Sequence, residues 1–303
     1  MADKKSKPGK MLRITAALIL LGLMVYGAIQ LSRPPPPAPL PNPNGYDDLV
    51  KAQKLTVAYT GEITRASAEQ LREHLARNVE ALKLIREGLT KQCRIPISFS
   101  TNYLFLRSLA DVKKSAWLFE AQGRLAELEA RTNDAARIYV EAIRYGQESC
   151  RGGVMIDRLV GNACEALGIN LLQKAAGSLD SGTCRETIKM LQEVDRTQEP
   201  LADVLRMERE WIRRTYPLSK RWQDMIPIAS LNPAKRAQKD FAEECNQSEL
   251  RLKRLMIDLA ARAYELEHRQ RPKNWNELVP DYLSAIPIDP ASGTNLTYLP
   301  QSK

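Results

Sequence analysis

Residues 67–89 read SAEQLREHLARNVEALKLIREGL. Ser67 followed three places later by Gln70 is a capping-box pattern. The hydroxyl accepts from the Gln70 amide while the Gln70 side chain returns to the Ser67 amide. Behind it Leu71, Leu75, Val79, Leu82, Ile85 and Leu89 recur at spacings of three and four, one apolar stripe of an amphipathic helix. Gly88 and Pro96 bracket its end. The spacing predicts one helix buried along a single face.

The same period extends along the chain. A second stripe runs Phe105, Leu109, Val112, Ala116, Phe119, Gly123, Ala126, and Arg131-Thr132-Asn133-Asp134 reads as a tight turn into Ala135, Tyr139 and Ala142. Further helices are expected over 155–179, 184–197 and 200–216, then a less regular stretch, 211–231, broken by Pro217 and Pro227. Asn232 and Pro233 form a cap and first turn. The long helix behind them carries Ala234, Ala237, Phe241, Cys245, Leu252, Leu255, Leu259, Ala263 and Leu266. Strand-like alternation is nearly absent until the last dozen residues. The expected fold is mostly α, an irregular antiparallel helical stack with a long C-terminal helix and a short β-like tail.

At the other end, Lys4, Lys5, Lys7, Lys10 and Arg13 precede an apolar run, 14–31, in which only Thr15 and Gln30 are polar. As a helix this run is roughly 27 Å long, close to the roughly 30 Å of a hydrocarbon core. Basic residues are retained on the cytoplasmic side, so the tip is expected in the cytoplasm and the body outside it, at the cell membrane. A cleaved secretory signal shares this pattern, but the site ending at Ala28 has the bulky Tyr26 two places earlier. The stem, Pro34-Pro35-Pro36-Pro37-Ala38-Pro39-Leu40-Pro41-Asn42-Pro43, favours extended polyproline II and spans roughly 30 Å. The expected organisation is a basic tip (1–13), a single transmembrane anchor (14–31), a stem (32–45), a helical domain (46–231), and a long helix with a tail packed on it (232–303).

The chain has 303 residues and a net charge of +9. Six Lys/Arg and one Asp fall within residues 1–44, so the body carries only +4 and the nucleic-acid reading loses its main support. Cys93, Cys150, Cys164, Cys184 and Cys245 form no C-x-x-C pair and no metal spacing. Outside the cytoplasm one or two disulfides with an odd thiol are permitted. Five small buried core residues are the other reading.

Two stretches resemble known families. Phe119, Gly123, Ala135, Tyr139 and Ala142 sit at the relative spacing of a tetratricopeptide helix pair, so residues 116–146 resemble one such hairpin. The usual Leu beside the Gly and the closing Pro are missing. The resemblance implies a protein or peptide partner held against the helices. From Tyr264 to Leu299, the order Pro272, Trp275, Leu278, Pro280, Tyr282-Leu283, Ile286-Pro287, Asp289-Pro290, Gly293, Tyr298 resembles the end of major pseudopilins of type II secretion. The N-terminus departs from that family: Gly9 precedes Lys10, and Ile14 stands where a glutamate is required. Asp289, Ser292 and Asn295 supply oxygens but too few carboxylates for the calcium site the family carries. The tail reads as a cap on the long helix.

Catalytic signatures are missing: no H-E-x-x-H, G-x-S-x-G, phosphate loop or G-x-G-x-x-G occurs. His74 and His268 read as solvated helix residues, and so do the neighbouring acids Glu208 and Glu210, Glu243 and Glu244, Asp47 and Asp48. One cluster interleaves rings with charge: Trp211, Arg213, Arg214, Tyr216, Lys220, Arg221 and Trp222. It suits an acidic lipid surface, or is a loop whose tryptophans plug the core. No cofactor or metal is expected. The sequence favours a membrane-tethered extracytoplasmic module for protein interaction or scaffolding. The alternatives are an accessory assembly subunit of a secretion or pilus-like system and an enzyme of unrecognised type.

Overall fold

The computed structural model describes residues 15, 18–24, 26, 39–103, 108–216 and 233–297. Among these the chain is mostly helical, and the only strand pairing is an isolated bridge between Ile288 and Asn295. The nine α-helices among the described residues are α1 (Gly45–Leu55), α2 (Ala68–Ala76), α3 (Val79–Leu89), α4 (Leu109–Leu128), α5 (Thr132–Cys150), α6 (Met155–Ala175), α7 (Ser181–Arg196), α8 (Leu201–Thr215) and α9 (Pro233–His268). The chain divides into two units, Met1–Pro39 and Leu40–Lys303. Among the described residues no helix is long and apolar enough to cross a membrane. The tip, half of the anchor and residues 32–38 of the stem lie outside the described residues, whereas residues 15, 18–24 and 26 are helical and exposed.

The capping box at Ser67 forms as expected, with Gln70 N donating to Ser67 Oγ at 3.2 Å and Ser67 N to Gln70 Oε1 at 2.9 Å. The single helix behind it does not. It breaks at Arg77–Asn78 into α2 and α3, and Val79, expected on the buried stripe, is 62% exposed. Asn78 explains the break. Its side chain accepts from Val57 N at 2.8 Å and donates to Val57 O at 3.2 Å and His74 O at 2.9 Å, so it latches the end of α1 instead of continuing a helix. His74 is buried, not solvated. The loop carrying Tyr59 covers it edge to face at 5.1 Å, and burial pushes the imidazole pKa down.

The centre of the body is α4, α5 and α6. The turn between α4 and α5 comes at Glu129–Arg131, slightly earlier than the spacing predicts, with Ala130 at φ 57°. In this hairpin Gly123 leaves room for the Tyr139 ring, and a Cβ there would collide with it. Ala135, Tyr139 and Ala142 are fully buried. The closest seam joins α5 to α6. A Cβ on Gly146 would lie 2.7 Å from Glu165 N and 2.8 Å from Gly161 O, and one on Gly168 would lie 2.8 Å from Tyr139 O. These are backbone atoms, so neither helix can accept a side chain there. Beside the seam lies a buried ion pair, Arg158 to Glu165 at 3.3 Å.

Polar contacts attach the outer helices. Gln53 of α1 donates to the buried Tyr145 hydroxyl at 3.2 Å, which donates to Val112 O at 3.1 Å. Thr56 meets Ser115 at 2.9 Å. Asn44 caps α1 and pairs with Arg94 through both amide atoms, fixing the loop before Ile95. Asp48, expected to be solvated, is nearly buried and pairs with Lys91. Glu208 is half-buried and accepts from Met155 N at the start of α6.

α9 carries its expected stripe: Phe241, Cys245, Leu252, Leu255, Leu259 and Ala263 are buried, while Ala237 and Leu266 are exposed. The tail folds back on α7 and α9 through Leu278, Tyr282 and Leu283. Arg185 of α7 holds Glu267 in a two-pronged pair at 2.8 and 2.7 Å, donates to Asp281 O, and lies 3.9 Å from the Tyr282 ring centre. The Tyr282 hydroxyl donates to the same carboxylate at 2.6 Å. His268 is exposed and stacks on Tyr264 at 4.1 Å.

The seam gives a direct test. Gly146→Ala is expected to destabilise the protein by about 1–3 kcal/mol through overpacking, outweighing the roughly 1 kcal/mol gained in helix propensity. Gly177→Ala, where nothing lies within 4 Å of the new Cβ, should stay within about 0.5 kcal/mol. Urea unfolding of the full chain in detergent measures both, and equal losses would refute the close seam. The tail gives a second. Hydrogen bonds from Arg185 and Tyr282 hold Glu267 down at about 2. A carboxylate depressed on folding stabilises above its unfolded value and loses that contribution as pH falls through the folded one. Glu267→Gln should therefore cost up to about 1 kcal/mol at neutral pH, the pair being partly exposed. That difference should vanish between about pH 5 and pH 2. A pH-independent difference would contradict the assignment.

Candidate functional site

Helices α5 and α7 both turn a mixed face outward, and three cavities lie end to end along them. The first, about 690 Å³, sits between the 90–94 loop, the end of α5 and the α7–α8 connection. The second, about 460 Å³, lies between α5 and α7. The third, about 620 Å³, lies between α7, α9 and the tail. Arg144, Glu148 and Thr197 line both of the first two, and Lys189 and Glu193 line both of the last two, so the three form one continuous groove. On α5 the lining residues Arg137, Val140, Glu141, Arg144 and Glu148 recur at helical spacing, one face of about 3.6 residues per turn. Tyr139, on the opposite face of α5, lines a separate cavity of about 570 Å³ with Glu120, Arg124 and Lys174.

The groove has an apolar floor and a charged rim. Val140, Met190 and Val194 form the floor of the middle section, and Met256, Leu283, Ile286 and Ile288 that of the far section. The tail therefore supplies one wall. Most rim carboxylates are already paired. Glu141 meets Arg86 at 2.8 Å, Glu148 meets Arg151 at 2.7 Å, Glu193 meets Arg196 at 2.6 Å, and Asp203 meets Arg206 at 2.9 Å. Glu199 accepts from Gly152 N through both oxygens, and burial pushes its pKa up. Asp195 is also pushed up by burial, against the pull of Lys253.

The basic aromatic cluster read from the sequence lies away from this groove. Trp211 is buried. Its indole donates to Ser98 O at 3.1 Å, and its ring stands edge to face with Tyr216 at 5.9 Å. Arg213 is exposed, while Arg214 pairs with Glu210 and lies 4.5 Å from the Phe99 ring centre. Lys220, Arg221 and Trp222 lie outside the described residues. The structure thus brings Trp211, Arg214 and Tyr216 together around the 98–99 loop, as packing. The groove residues carry no motif. Their signal was the second, polar face of α5, legible as periodicity but not as a partner for α7.

The five cysteines are all buried and unpaired. Burial pushes Cys93, Cys150 and Cys164 up to about 12 and Cys184 to about 11, so these thiols stay protonated at neutral pH. In the tail, Asp289 accepts from Ala291 N while Ser292 meets Thr294, an internal turn network. Among the described residues no group of three or more His, Cys, Asp or Glu side chains is placed to hold a metal ion. The groove combines apolar pockets with guanidinium and ammonium donors along the rim. Comparison with family models, with curated proteins and with solved structures finds no match to this chain.

Proposed function

We propose that this chain is a membrane-tethered helical interaction module whose body lies outside the cytoplasm and whose groove along α5 and α7 holds an extended segment of a partner protein. The observation that carries the reading is the continuity of the three cavities, which share lining residues from the 90–94 loop to the tail. A run of adjoining pockets with an apolar floor suits a chain whose side chains alternate, more than one compact ligand. The basic tip, apolar run and proline stem support the tether and its orientation. The tail's place as a groove wall gives that appendage a use in binding.

Position-specific photocrosslinking in intact membranes tests this reading. A photoreactive residue at Met190 or Val140 of the full chain should form a discrete adduct with another protein. The same residue at Trp117, exposed but outside every cavity described, should not. Adducts of equal yield at all three positions, or none at Met190 and Val140, would overturn the groove. For the tether, a tag at the N-terminus should resist protease added outside the cell while a tag at the C-terminus is removed.

A further inference from the structure

We infer that the segment held in the groove is acidic, an inference that rests on the groove reading and names its partner's chemistry. Among the described residues three cations line the groove without a salt bridge: Arg94, Arg144 and Lys189. Arg144 donates to a backbone carbonyl, Leu89 O at 2.5 Å, and acts on Glu193 only at longer range. Arg94 acts on Glu199 only at longer range, and burial raises the pKa of that carboxyl against the pull of the surrounding arginines. The other lining cations are used: Lys91 by Asp48, Arg137 by Glu186, Arg151 by Glu148, Arg196 by Glu193, and Lys253 by Glu249. The four rim acids with resolved pairs are neutralised in turn. Against Arg94, Arg144 and Lys189 stand two lining carboxylates without a salt bridge among the described residues, Asp195 and Glu199. The groove therefore offers a visitor a small excess of positive charge, its cations placed at the first cavity, at its junction with the second, and at the junction of the second with the third.

The chain itself does not supply the occupant. Each charged stretch outside the described residues is basic. Residues 1–13 carry five Lys/Arg and one Asp, 217–232 carry Lys220 and Arg221 against Asp224, and Arg33, Arg107 and Lys303 stand in stretches without an acid. A second copy, whose body carries the same net positive charge, is the poorer match in charge. Charge complementarity across an interface sets specificity and steers encounter, so an acidic segment of a different protein is the fit.

Selection of random displayed peptides of about 12 residues, roughly 40 Å when extended, against the detergent-solubilised full chain tests the inference. The selected peptides should be enriched in Asp and Glu. They should bind about tenfold more weakly, or worse, to the Arg144→Glu, Lys189→Glu double variant, whose two sites are exposed and whose fold circular dichroism checks. Raised ionic strength should weaken binding to the unaltered chain. Peptides without acidic enrichment that are nonetheless lost on Met190→Trp would overturn the charge inference and leave the groove standing. Peptides indifferent to Met190→Trp, or no selected peptide at all, would overturn both.

Discussion

Gly146 and Gly161 let the backbones of α5 and α6 meet where no side chain fits, and the rest of the body is built on that pair. The contact is costly in isolation, because glycine inside a helix gives up about 1 kcal/mol against alanine. Burial offsets it. With the two helices in contact, Tyr139, Ile143, Tyr145, Ile169 and Leu172 are removed from water almost completely, each large side chain contributing about 1.5–3 kcal/mol. The seam also places Arg158 and Glu165 in the interior, where each makes the other tolerable. A buried pair contributes little net stability when intact, but losing one partner costs about 3–5 kcal/mol. That penalty discourages any slip of α6 past its neighbours.

Around this pair the outer elements are attached by polar side chains that imitate backbone. Asn44 pairs with both backbone groups of Arg94, and Asn78 with both of Val57. Each does for a loop what a neighbouring strand would do in a sheet, so loops can lie against helices without leaving peptide groups unsatisfied. The consequence reaches the groove. The 90–94 loop, fixed by Asn44 and by Ile95 N donating to Arg151 O at 2.9 Å, presents Lys91 and Arg94 to the first cavity instead of leaving them to solvent.

The sequence disclosed what depends on neighbours along the chain and concealed what depends on neighbours in space. Ser67 and Gln70 form their box because that interaction is local, and Phe119, Gly123 and Tyr139 announce a close hairpin because their two helices follow one another along the chain. The stripe of α9 is legible for the same reason. The break at Asn78 is hidden because the apolar period stays in phase across the two-residue turn, so Leu75 and Val79 read as one stripe. His74 lies off its stripe, yet a loop from elsewhere covers it. Trp211 read first as a core plug and second as a surface anchor, and spacing alone does not say that the 98–99 loop is what covers it. The groove is the extreme case. Arg94, Arg144 and Lys189 belong to a loop and two helices, and periodicity names the face a helix buries without naming the helix it meets.

The charge pattern of the groove follows from where the ion pairs close. Glu193 and Arg196 are three residues apart on one helical face, and Glu148 meets Arg151, the residue just past the end of α5, so both pairs are local and form as soon as their helices do. Glu141 reaches across to Arg86 of α3, consuming an acid of α5 on a neighbour outside the groove. Arg144, three residues further along α5, turns to Leu89 O instead, because the end of α3 offers a carbonyl there and no carboxylate. Pairing Glu141 and Asp203 with cations outside the groove, while Arg144 and Lys189 make no salt bridge among the described residues, leaves the rim with a small excess of positive charge. Surface pairs of this kind contribute little to stability. Their larger effect is to set the sign of the potential a partner meets.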